Sequence, residues 1–373
     1  MMPQVLSADG RPPQAHPELS RLQPRRILIF KPSAIGDVVH TLPALNLMKR
    51  RWPDAEVSWL VTPLCAPLVD GHPLVKEAIV FNRKRYGHAW RSPTASTAFF
   101  KFIKGLRDRQ FDWVLDFQGL FRSGLMSWGT GAPVRVGFDD AREGAPMFYT
   151  HAVSSGGWWN QHAIGRYLHM AAAVGCEMGP VEFRFVCDDA DRAAAAAMIP
   201  GKDGYAALVP GTHWDTKKWP IEKFARLVKP LKDRFGLECI TLGGPADATM
   251  AANIQGATNL CGRTTLRQTI ALIERAALIV ANDSGPMHIA CALNRPLVAL
   301  FGPTSPLLTG PYGRPDTVLR LDLPCSPCYS RTCSHQSCLQ WLEIEPVLRL
   351  AEQQMSGIPK GEYGMKKSAG TAP

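Results

Sequence analysis

Asp37 closes Lys31-Pro32-Ser33-Ala34-Ile35-Gly36-Asp37, a polar turn that follows the apolar run Arg26–Phe30. A carboxylate in the first turn of a helix can accept a proton from a sugar hydroxyl or hold that hydroxyl by a hydrogen bond. It can equally do no more than complement the helix dipole. Ser33 and Gly36 open the same helix, where unsatisfied N–H groups can take an anion. A glycine there also permits a close backbone approach. A second polar turn, Gly211-Thr212-His213-Trp214-Asp215-Thr216-Lys217-Lys218-Trp219-Pro220, follows the run Tyr205–Val209. Thr212 can bond a phosphate oxygen, and Lys217 or Lys218 can bring positive charge to a departing diphosphate. The plain alternative is a solvated loop. Asp283-Ser284-Gly285, ahead of Pro286, makes a turn whose Ser284 and Gly285 N–H groups point at an anion. Like charge keeps Asp283 off phosphate, so it binds a hydroxyl or fixes the loop. His288, one turn on, is either a ligand contact or a core histidine. Asp247, after Gly243-Gly244, holds a ribose hydroxyl pair or serves as an N-terminal helix acid.

Ten cysteines occur, and four stand together as Cys325-x2-Cys328-x4-Cys333-x4-Cys338. Three readings of that cluster stay open: a structural zinc, free thiols, or a disulfide or redox role. His335 could replace one thiolate. Four protein thiolates leave zinc no open position, so a metal there is structural. The other six cysteines read as small buried hydrophobes.

The elements that must position these residues alternate. Strands are expected at 26–30, 57–61, 78–81, 113–117, 134–138 and 181–186, then at 205–209, 238–242, 278–281 and 297–300. Helices are expected from the 31–37 turn to about 51, and over 97–109, 161–174, 188–198, 221–235, 265–276, 285–293 and 340–353. Residues 82–96 read as an irregular basic loop. This alternation predicts an α/β chain with mostly parallel sheets covered on both sides. Ligands of such sheets bind outside the carboxyl ends of the strands, which is where the polar turns fall. The expected organisation is a flexible leader over 1–24, an N-terminal domain over 25–185, a C-terminal domain over 186–355 that includes the cysteine cluster 325–338, and a disordered tail over 356–373.

Length supports two domains, since 373 residues is more than a single core of roughly 150 residues needs. The formal charge of +10 favours an anionic partner. No long basic arm, zinc-finger spacing or helix-turn-helix signature is present, so nucleic acid is not expected. No stretch of about 18 apolar residues appears, and the N-terminus lacks the apolar core of a secretory signal. A cytoplasmic location follows as an expectation.

Taken together, Lys31 to Pro43 (KPSAIGDVVHTLP), Thr212 to Pro220 and Asn282 to His288 resemble the ordered motifs of the lipopolysaccharide heptosyltransferases, glycosyltransferase family 9. The resemblance covers roughly residues 25–350. It implies a GT-B fold, two Rossmann-like domains facing a central cleft. It implies an ADP-activated heptose bound mainly by the C-terminal domain, and a lipid-linked inner-core oligosaccharide held mainly by the N-terminal domain. Transfer would invert the anomeric centre without a metal. Asp37 matches the family's catalytic base and Lys217 its donor-phosphate lysine. Asp283 and His288 match donor-site residues, and Asp247 matches a ribose acid loosely. Thr212, Ser284 and Gly285 would share the donor phosphates. Peripheral contact with the anionic inner-membrane leaflet, on its cytoplasmic face, fits the charge. Other readings keep the fold with a different nucleotide-sugar donor or glycan acceptor, or make the chain a noncatalytic sugar-nucleotide binder. A Rossmann oxidoreductase is disfavoured, because Gly-x-Gly-x-x-Gly is missing after the first strand.

Overall fold

Apolar runs rich in Ile, Leu and Val become strands covered on both faces, as parallel sheets require. In the first unit these are β1 (Arg26–Phe30), β2 (Glu56–Val61), β3 (Glu77–Val80), β4 (Trp113–Asp116), β5 (Val134–Phe138) and β6 (His151–Val153). They form one parallel sheet in the order β3-β2-β1-β4-β5-β6. The second unit holds β7 (Tyr205–Val209), β8 (Glu238–Thr241), β9 (Ala257–Asn259), β10 (Leu278–Asn282), β11 (Leu297–Leu300) and β12 (Val318–Leu319). Their order, β12-β11-β10-β7-β8-β9, is again parallel throughout. The two sheets share one topology. From β1 the chain winds outward through β2 and β3, then returns to place β4 on the other side. From β7 it does the same with β8, β9 and β10. Each unit is therefore Rossmann-like, with a switch point between β1 and β4 or between β7 and β10.

The computed structural model describes residues 15–86, 92–157, 161–199 and 204–356. The units are Met1–Val186 and Cys187–Pro373. Leu28, Phe30, Leu60 and Val114 pack with Leu106 and Phe111 in the first. Trp219, Phe224, Leu231, Val280 and Leu348 share the core of the second. Among the described residues no helix is long and apolar enough to cross a membrane.

Several expectations need correction. Residues 181–186 join neither sheet. They run beside the helix Ile35–Arg51: Asn46 Nδ2 donates to the Glu182 carbonyl at 2.7 Å, and Arg50 pairs with Glu182 at 2.8 Å. Alternating half-buried and exposed residues suit that helix surface as well as a sheet edge. Within 82–96, Arg83–Tyr86 and the residues from Pro93 onward are helical, with Ser92 as N-cap and Pro93 at the first position. A Ser-Pro start of this kind is a helix signal. Residues 87–91 lie outside the described residues. Part of the expected leader is packed: Leu19 is fully buried and His16 N–H donates to the Ala173 carbonyl at 2.7 Å. Residues 1–14 and the tail from 357 lie outside the described residues, as do Trp158, Trp159 and Asn160.

Candidate functional site

The switch point of the second sheet gathers most of the expected residues. After β7 the chain makes a 3-10 turn over Asp215–Lys217. After β10 it enters the helix Gly285–Ala292, with Ser284 as N-cap. Lys217 Nζ lies 2.7 Å from Asp283 Oδ2, and the two side chains are 17% and 5% exposed. Thr304 Oγ1 donates to the same carboxylate oxygen at 2.7 Å. Asp283 therefore fixes Lys217. Lys217 Nζ also sits 4.5 Å from the centroid of the Trp214 ring, and Arg331 Cζ lies 4.8 Å from that ring. Both contacts suit a cation on an aromatic face. Lys218 is occupied differently, pairing with Asp215 at 2.6 Å. Of the two adjacent lysines, Lys217 is the one aimed into the switch point.

Ser284 Oγ is buried and has no hydrogen-bond partner among the described residues. The first N–H groups of a helix have no intrahelical acceptor, so donors converge where that hydroxyl stands. Gly285 is the first helical residue, and His288 is buried one turn on. Thr212 has a different task from the one expected. Its hydroxyl donates to the Asp283 carbonyl at 2.8 Å, so its single proton ties the two turns together. Asp247 Oδ2 accepts from Gly244 N–H at 2.8 Å. A Cβ on Gly211 would meet that carboxylate at 2.4 Å, so the glycine is what admits Asp247 to the strand ends.

Asn282, fully buried, clamps the two turns from below. Its Oδ1 accepts from Trp219 N–H at 3.1 Å and its Nδ2 donates to the Pro210 carbonyl at 2.8 Å. Asn282→Ala would leave both backbone groups buried and unpaired. Each such group costs about 1–3 kcal/mol. Denaturant unfolding is expected to show a loss of at least about 2 kcal/mol; an unchanged midpoint would remove Asn282 from this role.

In the first unit, Asp37 stands in the first turn of Ile35–Arg51, after a cis Ser33–Ala34 bond. Its Oδ2 accepts from Ala34 N–H at 3.0 Å, and Tyr167 OH reaches Oδ1 at 3.5 Å. Lys31 Nζ is 3.8 Å from Oδ2, and the lysine side chain is 6% exposed against 39% for Asp37. Lys31 also donates to the Phe117 carbonyl at 3.3 Å, which joins the ends of β1 and β4. Burial works against the Lys31 charge, yet Asp37 and Tyr167 outweigh it and hold its pKa above the ordinary value. Burial pushes the Tyr167 hydroxyl up as well, with Asp37 adding to the effect and Lys31 opposing it. Gly36 is buried in the first turn and Ser33 is half-buried before it. Asp37 thus keeps one face open while a buried cation and a phenol steady the other. Lys31→Met is expected to lower turnover several-fold with donor affinity unchanged. Steady-state kinetics beside a donor titration check this, and unchanged turnover would count against Lys31 as a positioning residue.

Lys31, Tyr167, Asn282, Thr304 and Arg331 were not singled out from the sequence. Lys31 stands inside the first motif and Asn282 inside the third, so proximity was a usable signal for those two. Asp116, also unmarked, is fully buried at the end of β4. Its carboxylate accepts from Gln118 N–H at 2.9 Å, Gly119 N–H at 3.1 Å and Tyr149 OH at 2.8 Å. Burial pushes its pKa up against those bonds.

All ten cysteines are free. Cys325, Cys328, Cys333 and Cys338 line one cavity of about 170 Å³ together with His335 and Thr216.

The chain is similar to known proteins. Residues 99–339 match glycosyltransferase family 9 (heptosyltransferase). Over 318 residues the chain is 33% identical to lipopolysaccharide heptosyltransferase 1 of Pseudomonas aeruginosa, covering 83% of this chain and 88% of that protein. The solved structure of Escherichia coli heptosyltransferase WaaC with ADP is similar at 27% identity and a TM-score of 0.72, covering 88% of this chain and 99% of that one. The E. coli ADP-heptose lps heptosyltransferase II structure is similar at 25% identity and a TM-score of 0.71, covering 88% and 98%. The fold is of GT-B type, and the chain belongs to glycosyltransferase family 9, the heptosyltransferase family.

Proposed function

We propose that this enzyme moves a heptose from ADP-heptose to the inner core of lipopolysaccharide, inverting the anomeric centre. The observation that carries the reading is the Lys217–Asp283 pair at the second switch point, beside the unpartnered Ser284 hydroxyl and the start of a helix. A diphosphate seated there meets a fixed ammonium group, a hydroxyl and helical N–H groups. These donors are in place before negative charge builds on the leaving group, so their stabilisation costs little reorganisation. The names of the relatives supply the heptose, and that of the WaaC structure supplies ADP.

In this reading Asp37 takes the proton from the acceptor hydroxyl as its oxygen attacks the anomeric carbon. The bond to the diphosphate oxygen breaks, and the electron pair leaves with ADP. Lys217 and the Ser284 and Gly285 N–H groups receive that charge, so the reading asks for no metal in the transfer step. Lys31 and Tyr167 orient the base. Thr212, Asn282 and Thr304 hold the donor turns, and His288 and Asp247 border them. Asp247 would offer its second carboxylate oxygen to ribose. The acceptor is lipid-linked, and a formal charge of +10 suits peripheral work at the anionic cytoplasmic face of the inner membrane. Titrating ADP into the chain while following backbone amide resonances tests the donor site. Residues around Lys217 and Ser284 are expected to shift; shifts confined elsewhere would overturn the assignment.

A further inference from the structure

The segment between β12 and the short helix Ser337–Gln340 is held neither by secondary structure nor by burial. From Arg320 to Gln336 it contains no helix or strand, and from Leu321 to Gln336 no residue is buried. Irregular segments of that length are uncommon in a compact domain unless something fixes them. This one is nevertheless tied down at several points. Cys328 N–H and Tyr329 N–H both donate to the Pro303 carbonyl, at 3.0 and 2.8 Å. Ser326 Oγ donates to the Gly302 carbonyl at 2.7 Å, and Thr216 Oγ1 donates to the Ser330 carbonyl at 2.8 Å. The segment therefore braces both the turn carrying Lys217 and the loop after β11.

Its four cysteines line a single cavity, whereas Cys65, Cys176, Cys239 and Cys261 are each buried elsewhere. Gln336 N–H donates to Cys333 Sγ at 3.3 Å, a bond that strengthens when sulfur is a thiolate. A Cβ on Gly302 would meet the Leu339 side chain at 2.8 Å and Cys338 Sγ at 3.1 Å, so Cys338 packs close against the loop after β11. His335 Nδ1 bonds Ser337 Oγ at 2.8 Å, and the four sulfurs by themselves complete a tetrahedral set. Among the described residues no three such side chains stand as a group that could hold a metal ion without moving. Ligation would draw the four sulfurs together.

We propose that Cys325, Cys328, Cys333 and Cys338 form a structural site for a thiophilic divalent cation, zinc by the chemistry of its donors, which cross-links the segment bracing Lys217. Four soft sulfurs with no open position suit zinc in a structural and not a catalytic role. Binding replaces four S–H bonds with four Zn–S bonds and releases the protons to solvent; no electron moves.

The test uses the full chain purified under reducing conditions without chelator. About one zinc per chain is expected. Cobalt substitution should give the absorption of a tetrahedral tetrathiolate, and zinc added to the metal-free chain should release protons. Cys325→Ser combined with Cys328→Ser should abolish zinc retention, and His335→Ala should keep it. Should the double variant fail to fold, the cobalt spectrum of the unaltered chain decides. A chain that takes up no zinc from excess metal, with its thiols alkylated equally fast in either case, would overturn the proposal. A further arm rests on the proposed donor site: removing the metal should weaken ADP binding several-fold. Zinc bound at the cysteines with ADP bound elsewhere would leave the metal site standing and overturn the donor reading instead.

Discussion

Asp37→Asn is expected to lower transfer by about 10²–10⁴-fold while ADP and donor affinity stay unchanged. The substitution preserves shape. The amide oxygen could still accept from Ala34 N–H, as the carboxylate does at 3.0 Å, so the turn should survive. Proton-accepting ability is what disappears. Lys31 and Tyr167 then face a neutral amide, and the attacking hydroxyl has no base. A role limited to the helix dipole gives a different result. An asparagine in that place would cost at most about 1 kcal/mol of stability and leave turnover intact. Turnover with genuine donor and acceptor, measured beside a donor titration, separates the two.

Lys217→Ala is expected to weaken ADP binding and to lower transfer by about 10²–10³-fold, the usual effect of losing one preorganised donor at a developing charge. It also strands Asp283, which is 5% exposed and keeps only Thr304 as a side-chain donor among the described residues. Breaking one half of a buried ion pair costs about 3–5 kcal/mol, so the single variant mixes a stability effect with a binding effect. Lys217→Ala with Asp283→Asn separates them. The neutral amide removes the stranded charge, so stability should recover substantially. ADP affinity should not recover, because the ammonium group is still missing. Recovery of both would reduce Lys217 to a structural partner of Asp283.

The strands were legible because parallel sheets demand runs such as Ile27–Phe30 and Leu278–Ala281, which are apolar on both faces. Polar turns directly after such runs marked the strand ends, and with them Asp37, Lys217 and Ser284. Short edge strands escaped. His151–Val153, Ala257–Asn259 and Val318–Leu319 are too brief to show a period. The 181–186 run misled because alternation reports one half-buried face and not what covers it. Within the site, side-chain commitments were hidden. Whether Thr212 spends its proton on phosphate or on the Asp283 carbonyl depends on a contact 71 residues away. The choice between Lys217 and Lys218 likewise rested on Asp283 and Asp215, one distant and one three residues back. Tyr167 reaches Asp37 from 130 residues along the chain, and no local pattern encodes that.

The most direct measurement offers the purified chain a panel of ADP-, UDP- and GDP-sugars with inner-core lipid acceptor, and follows nucleotide release and the glycosylated product. Heptose incorporated from ADP-heptose, with one ADP freed per sugar and the opposite anomeric configuration in the product, is the predicted result. Transfer driven by a UDP- or GDP-sugar in its place, or retention of the donor's configuration, would contradict the account.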